Sequence, residues 1–272
     1  MKDDRQNPLP DASRDIRLAE GVPRTPQTLS PSYQLAFHDL DFLKKDELRP
    51  VRLQLELLKP EMILNEQNVK STIVMFGGAR IPSPERRDMA RSPAMAELSH
   101  YYDEAREFAR LMTEESMKTG GSENVVATGG GPGVMEAGNL GALDAGGRSI
   151  GFNIVLPHEQ APNPYVTPEL SFNFHYFAIR KMHFLMRARA ITIFPGGFGT
   201  LDELFETLTL IQTKRMKPVP ILLFGREFWE QIVNWEALKN AGTIAPEDLD
   251  LFHYVETAQE AIDLIKASEK DA

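Results

Sequence analysis

The chain predicts an α/β protein: a Rossmann-like, doubly wound, mostly parallel sheet with an N-terminal helical extension. Three observations carry this. From Ser71 onward, short apolar runs alternate with amphipathic helical segments, the pattern of parallel strands covered on both faces. Two of those runs lead into glycine-rich loops, TGGGPGVMEAGN at 128–139 and FPGGFGTLDE at 194–203. At 272 residues the chain is long enough for one large domain plus an extension, and can bury a substantial core.

Residues 1–32 hold Pro8, Pro10, Pro23, Pro26 and Pro31 among scattered charges and few large apolar side chains. That composition predicts a flexible tail. Residues 33–70 place leucines among charges and predict a helical extension of two short helices, stopped by Pro50 and Pro60. Residues 71–272 form the main domain, with strands expected at 72–77, 124–128, 149–156, 190–194, 219–224 and, more weakly, 253–256. Helices are expected near 97–119, 133–145, 177–188, 200–214, 226–240 and 257–268.

Thirty basic against thirty-nine acidic residues give a formal charge of −9, a field that repels nucleic acid. A phosphate ligand must therefore be held locally. The chain has no cysteine, which excludes disulfides and thiolate metal sites. Its first residues lack the apolar core of a signal peptide, and no run approaches about eighteen apolar residues. A cytoplasmic protein with neither a membrane nor a nucleic-acid partner is expected. The six histidines show no HExxH or other ligand spacing, so neither a metal nor a cofactor is predicted.

Each glycine loop leaves a strand and opens a helix, the position where ligands bind in such sheets. Glycine lets backbone N–H groups approach an oxyanion, and the helix N-terminus adds partial positive charge. The structural alternative is a pair of tight turns. Neither loop fits GxxxxGK[ST] or GxGxxG, so redox dinucleotides and ATP hydrolysis lose ground to a mononucleotide or sugar phosphate. Thr200 and Glu203 carry the spacing of a capping box. Directly after a phosphate loop, the same carboxylate also lies within reach of the sugar. Upstream, Arg180 and Lys181 head two helical stripes that are partly apolar.

These residues resemble the LOG (LONELY GUY) family, phosphoribohydrolases once mislabelled lysine decarboxylases, whose hallmark is PGGxGTxxE. Pro195, Gly196, Gly197, Gly199, Thr200 and Glu203 match it at every specified position. Arg180 and Lys181 match the family's upstream basic pair, and 129–139 matches GGGPGxMEAxN. The resemblance runs from about Ser71 to Ile265. It implies a nucleoside monophosphate site in a homodimer or larger homo-oligomer, where water cleaves the bond between base and ribose 5-phosphate. By the same resemblance Arg180 and Glu203 are the catalytic pair. Gly129, Gly130, Gly131, Gly133, Glu136, Lys181, Gly196, Gly197, Gly199 and Thr200 bind the substrate.

Two departures stand out. The chain has Gly77, Gly78, Ala79 and Arg80 where many members carry GSS, and FAI before Arg180 where plant-like members have MHE. Both adjoin the expected base pocket and favour plain AMP over a cytokinin riboside monophosphate. A carrier that holds a phosphorylated ligand without cleaving it needs the glycines but neither Arg180 nor Glu203. A pyridoxal-dependent decarboxylase would need a Schiff-base lysine with its supporting acid, and no such context surrounds Lys181.

Overall fold

The computed structural model describes residues 11–157 and 161–270; the first ten residues of the predicted tail lie outside them. The chain divides into two compact units, Met1–Leu55 and Glu56–Ala272.

In the first unit, α1 (Ala12–Glu20) forms where composition predicts no order. Asp11 explains it, since its side chain accepts from the N–H groups of Ser13 and Arg14 at the helix start. No residue of α1 is buried. Single 3₁₀ turns and the short α2 (Leu40–Leu43) follow.

The two short helices expected around Pro50 and Pro60 are instead one, α3 (Arg49–Glu66), which begins in the first unit and ends in the second. Pro50 sits in its first turn, where no intrahelical donor is needed. Pro60 lies inside the helix and leaves the Glu56 carbonyl without its i+4 donor. A histidine from another helix takes that place, as described below.

The second unit is a seven-stranded sheet with every pairing parallel. Its elements run β1 (Thr72–Phe76), α4 (Pro93–Glu97), α5 (His100–Met117), β2 (Val125–Thr128), α6 (Val134–Asp144) and β3 (Ser149–Ile154). Then come β4 (Ser171–Phe174), α7 (Phe177–Met186), β5 (Ala188–Ile193), α8 (Phe198–Gln212) and β6 (Ile221–Phe224). The chain closes with α9 (Arg226–Ile232), α10 (Trp235–Asn240), β7 (His253–Val255) and α11 (Ala258–Lys270). Three details differ from expectation. Neither α4 nor β4 is expected from the sequence, and the helix expected over 226–240 is two, separated at Val233 and Asn234.

The strands lie in the order β4-β3-β2-β1-β5-β6-β7. Successive strands grow outward from β1 in one direction and then, from β5, in the other. The crevice at that reversal, beyond the carboxyl ends of β1 and β5, is the ligand position for an open parallel sheet. Along β1, Ile73 and Met75 face a core with α5, α6 and α11, while Val74 and Phe76 face one with α7, α8 and Trp229. Both faces are covered, so the strands read as continuous apolar runs.

Candidate functional site

The loop after β1 interlocks with both glycine loops. The Gly78 N–H donates to the Pro195 carbonyl at 2.9 Å, and the Gly78 carbonyl accepts from the Val134 N–H at 3.3 Å. Gly133 has φ +68°, and a methyl group there would fall 2.3 Å from the Gly78 carbonyl oxygen. Only glycine meets both demands. Gly130, at φ +72°, would drive a methyl group to 2.2 Å from Asn153 Oδ1. Behind this loop runs a buried polar network. The Thr128 hydroxyl donates to Asn139 Oδ1 and also accepts from the Gly130 N–H, and Asn163 Nδ2 donates to Asn139 Oδ1 and to the Gly131 carbonyl. The loop's shape is thereby fixed before any ligand arrives.

These loops open onto a cavity of about 1130 Å³. Of the expected site residues, Gly129, Gly131, Arg180, Gly196, Gly197, Gly199, Thr200 and Glu203 line it. Gly130, Gly133, Glu136 and Lys181 do not. The two glycines shape the loop from behind, and Glu136 accepts a 2.9 Å hydrogen bond from the Tyr102 hydroxyl. That bond, after burial itself, holds the Tyr102 hydroxyl well above its ordinary pKa.

The capping box does not form. α8 begins at Phe198 with Gly197 as its cap residue and no side-chain cap, which puts Thr200 inside the first turn. Gly197 takes the cap position because its carbonyl accepts from the Leu201 N–H at 3.0 Å, one turn earlier than the TxxE spacing suggests. The Thr200 hydroxyl packs instead against Gly196, where a methyl group would lie 2.2 Å away. An uncapped α8 N-terminus presents backbone donors and the positive end of the helix dipole to the cavity.

Arg180 is held from three sides. Its Nε donates to the Phe152 carbonyl at 2.7 Å, and its guanidinium lies 5.1 Å from the Phe184 ring centroid. It also crosses Gly129 so closely that a methyl group there would stand 2.6 Å from a guanidinium nitrogen. The helix that carries it is anchored by α3. The Glu56 carboxylate accepts from the backbone N–H groups of His175 and Tyr176 at 2.9 and 3.1 Å, just ahead of α7. The buried His183 ring donates from Nε2 to the Glu56 carbonyl, the one Pro60 leaves open. Burial depresses the His183 pKa, so the ring is neutral. At the far end of α7 Arg187 pairs with Glu61 and bonds Asn65.

Glu203 is only 6% exposed. Burial pushes its carboxyl up to about 7, against the attraction of Lys181 and Arg180 and with added repulsion from Glu206 and Asp202. Lys181 sits among acids: its ammonium is 2.8 Å from Asp202, 2.6 Å from Glu206 and 3.9 Å from Glu203. Burial would lower its pKa, but the hydrogen bonds it donates to Asp202 and Glu206 outweigh that and raise it. Lys181 is therefore a stable cation.

Sequence reasoning missed the opposite wall. Asn153, Ser171 and Asn173 line it, with Asn153 Nδ2 donating to the Phe172 carbonyl at 2.9 Å. The signal was present in SFNF, where Phe172 and Phe174 are buried while Asn173 is exposed, a period-2 pattern only four residues long. Arg80, noted only as a departure, is exposed on the rim. Among the described residues no cluster of His, Asp and Glu could hold a metal ion, and no helix is long and apolar enough to cross a membrane.

No curated protein matches the chain. Among solved structures, TM1055, a structural-genomics target, is 22% identical over 72% of this chain and 99% of its own, at a TM-score of 0.49. The molybdenum cofactor binding protein from Rippkaea orientalis is 21% identical over 73% and 96%, at 0.46. The molybdenum cofactor carrier protein from Chlamydomonas reinhardtii is 20% identical over 73% and 97%, at 0.47. The family described as "Possible lysine decarboxylase" matches residues 135–265, a span that holds Glu136, Arg180, Lys181 and the whole loop from Pro195 to Glu203. That segment, just under half of the chain, is similar to this family, the one the LOG-like motifs resemble.

Proposed function

We propose that the protein hydrolyses the N-glycosidic bond of purine nucleoside 5′-monophosphates, AMP or a cytokinin riboside monophosphate, to free base and ribose 5-phosphate. One observation carries this: a buried carboxylate, Glu203, faces the cavity one turn past an uncapped helix N-terminus, with Arg180 beside it. The backbone donors of the Pro195–Thr200 loop take the phosphate. Cleavage passes through an oxocarbenium-like state, which an adjacent carboxylate stabilises and whose attacking water it orients. The water oxygen bonds to C1′, the electron pair of the C1′–N9 bond leaves with the base, and Glu203 relays the water's proton towards it. Arginine does not give up its proton near neutrality, so Arg180 acts as a fixed charge that positions the nucleotide.

The cavity volume favours a second reading. Ligand pockets span about 300–1000 Å³, and about 1130 Å³ leaves room for a ligand larger than a mononucleotide. A carrier would bind such a ligand and release it unchanged. Incubation with a panel of nucleoside monophosphates separates the readings: free base plus ribose 5-phosphate supports the hydrolase, and tight binding with no product supports the carrier. We also assign a homo-oligomer, supported by exposed Leu58 and Met62 on α3 and Met182 and Met186 on α7, and a cytoplasmic location.

A further inference from the structure

The sequence motif casts Lys181 as a substrate ligand, and the geometry gives it other work. Its side chain is 14% exposed and stands outside the cavity lining. Three carboxylates from the first three turns of α8 share its ammonium, the nearer two at 2.6 and 2.8 Å and Glu203 at 3.9 Å. Lysine has three donors on a compact charge, which suits it to such sharing. Asp202 and Glu206 are partly exposed, whereas Glu203 has almost no contact with water. The groups that face Glu203 are thus Lys181 and Arg180 from α7, and Asp202 and Glu206 from its own helix.

We propose that Lys181 is a positioning residue: tethered by Asp202 and Glu206, it stands behind Glu203 and sets the ionisation of that carboxyl without touching the substrate. The arrangement is a balance. Were Lys181 to close fully on Glu203, the carboxylate would be fixed in its ionised form and its lone pairs committed. Were Lys181 absent, burial and two neighbouring acids would leave Glu203 protonated at neutral pH and unable to orient water. Held at 3.9 Å, the cation keeps Glu203 near its midpoint, where a general base works best. The consequence for catalysis rests on the hydrolase reading; the effect on the carboxyl does not.

The test follows Glu203 itself. Carboxyl-¹³C NMR of glutamate-labelled protein, with the Glu203 signal assigned by its loss in Glu203→Gln, gives the titration midpoint directly. Lys181→Met should raise that midpoint by about one unit or more, the scale of an opposite charge at short range, and Lys181→Arg should restore most of the shift. The pair Asp202→Asn and Glu206→Gln should move it the other way, because two repelling charges go and Lys181 is freed. If AMP is hydrolysed, the acid limb of kcat/KM moves with each midpoint while KM changes little. An unchanged midpoint in a Lys181→Met protein that melts like wild type overturns the proposal. A large rise in KM with the midpoint fixed also overturns it, and restores Lys181 as a ligand. A shifted midpoint in a protein that cleaves no nucleotide leaves the proposal standing and removes the hydrolase reading.

Discussion

At neutral pH the Glu203 carboxyl stands at its own midpoint, because burial outweighs two nearby cations and lifts it to about 7. A folded-state pKa above the unfolded value of 4.5 means that stability is full below about pH 4.5 and is lost as pH rises through 7. At about 1.4 kcal/mol per unit, the loss by pH 8 is on the order of 3 kcal/mol. Glu203→Gln removes that titration. Its melting temperature should therefore gain on wild type between pH 5 and pH 8, and a constant difference would mean that Glu203 is not the buried acid described here. The same variant should still bind AMP and hydrolyse it at least about a hundredfold more slowly. Gly129→Ala displaces Arg180 without altering its charge. The added methyl would meet the guanidinium at 2.6 Å and the Met135 sulfur at 2.7 Å, both at the far ends of flexible side chains, so turnover should fall while the sheet melts as before.

At the scale of elements, the glycine loops divide into positions that shape and positions that bind. Gly130→Ala forces a side chain into a left-handed conformation and onto Asn153, and should cost roughly 1–3 kcal/mol of stability. Gly197→Ala meets nothing within 4 Å and should leave melting unchanged. Thermal melts of the two variants give the comparison. Both positions were equally visible as loop glycines in the sequence. Their difference depends on Asn153, a residue from another strand that no local pattern connects to Gly130. The strands and the two phosphate loops were legible because period and glycine spacing are local. The capping box at Thr200 failed because Gly197, with no side chain, starts α8 a turn early. Two short helices became one because the Pro60 defect is repaired by His183, 123 positions away in the chain's numbering from residue 60. The same distance hid Glu56, whose carboxylate caps the approach to α7. Glu56→Ala should lower stability by about 2 kcal/mol and reduce turnover, although it touches no ligand.

For the whole molecule, those contacts divide the N-terminal seventy residues. A protein starting near Ser32 should keep its fold and activity, since α1 buries nothing. One starting at Ser71 loses the α3 segment that holds α7, and should lose both. Activity and circular dichroism of the two truncations test this, and full activity without residues 1–70 would show that Glu56 and His183 anchor nothing of consequence. The proposed cleavage needs water and the 5′-phosphate together. Its most direct measurement is hydrolysis in ¹⁸O-labelled water, with AMP and adenosine compared and the products weighed by mass spectrometry. Free adenine and ribose 5-phosphate carrying one ¹⁸O are expected from AMP, with adenosine left almost untouched. Intact AMP bound to the protein with no labelled sugar, or equal cleavage of AMP and adenosine, would contradict it.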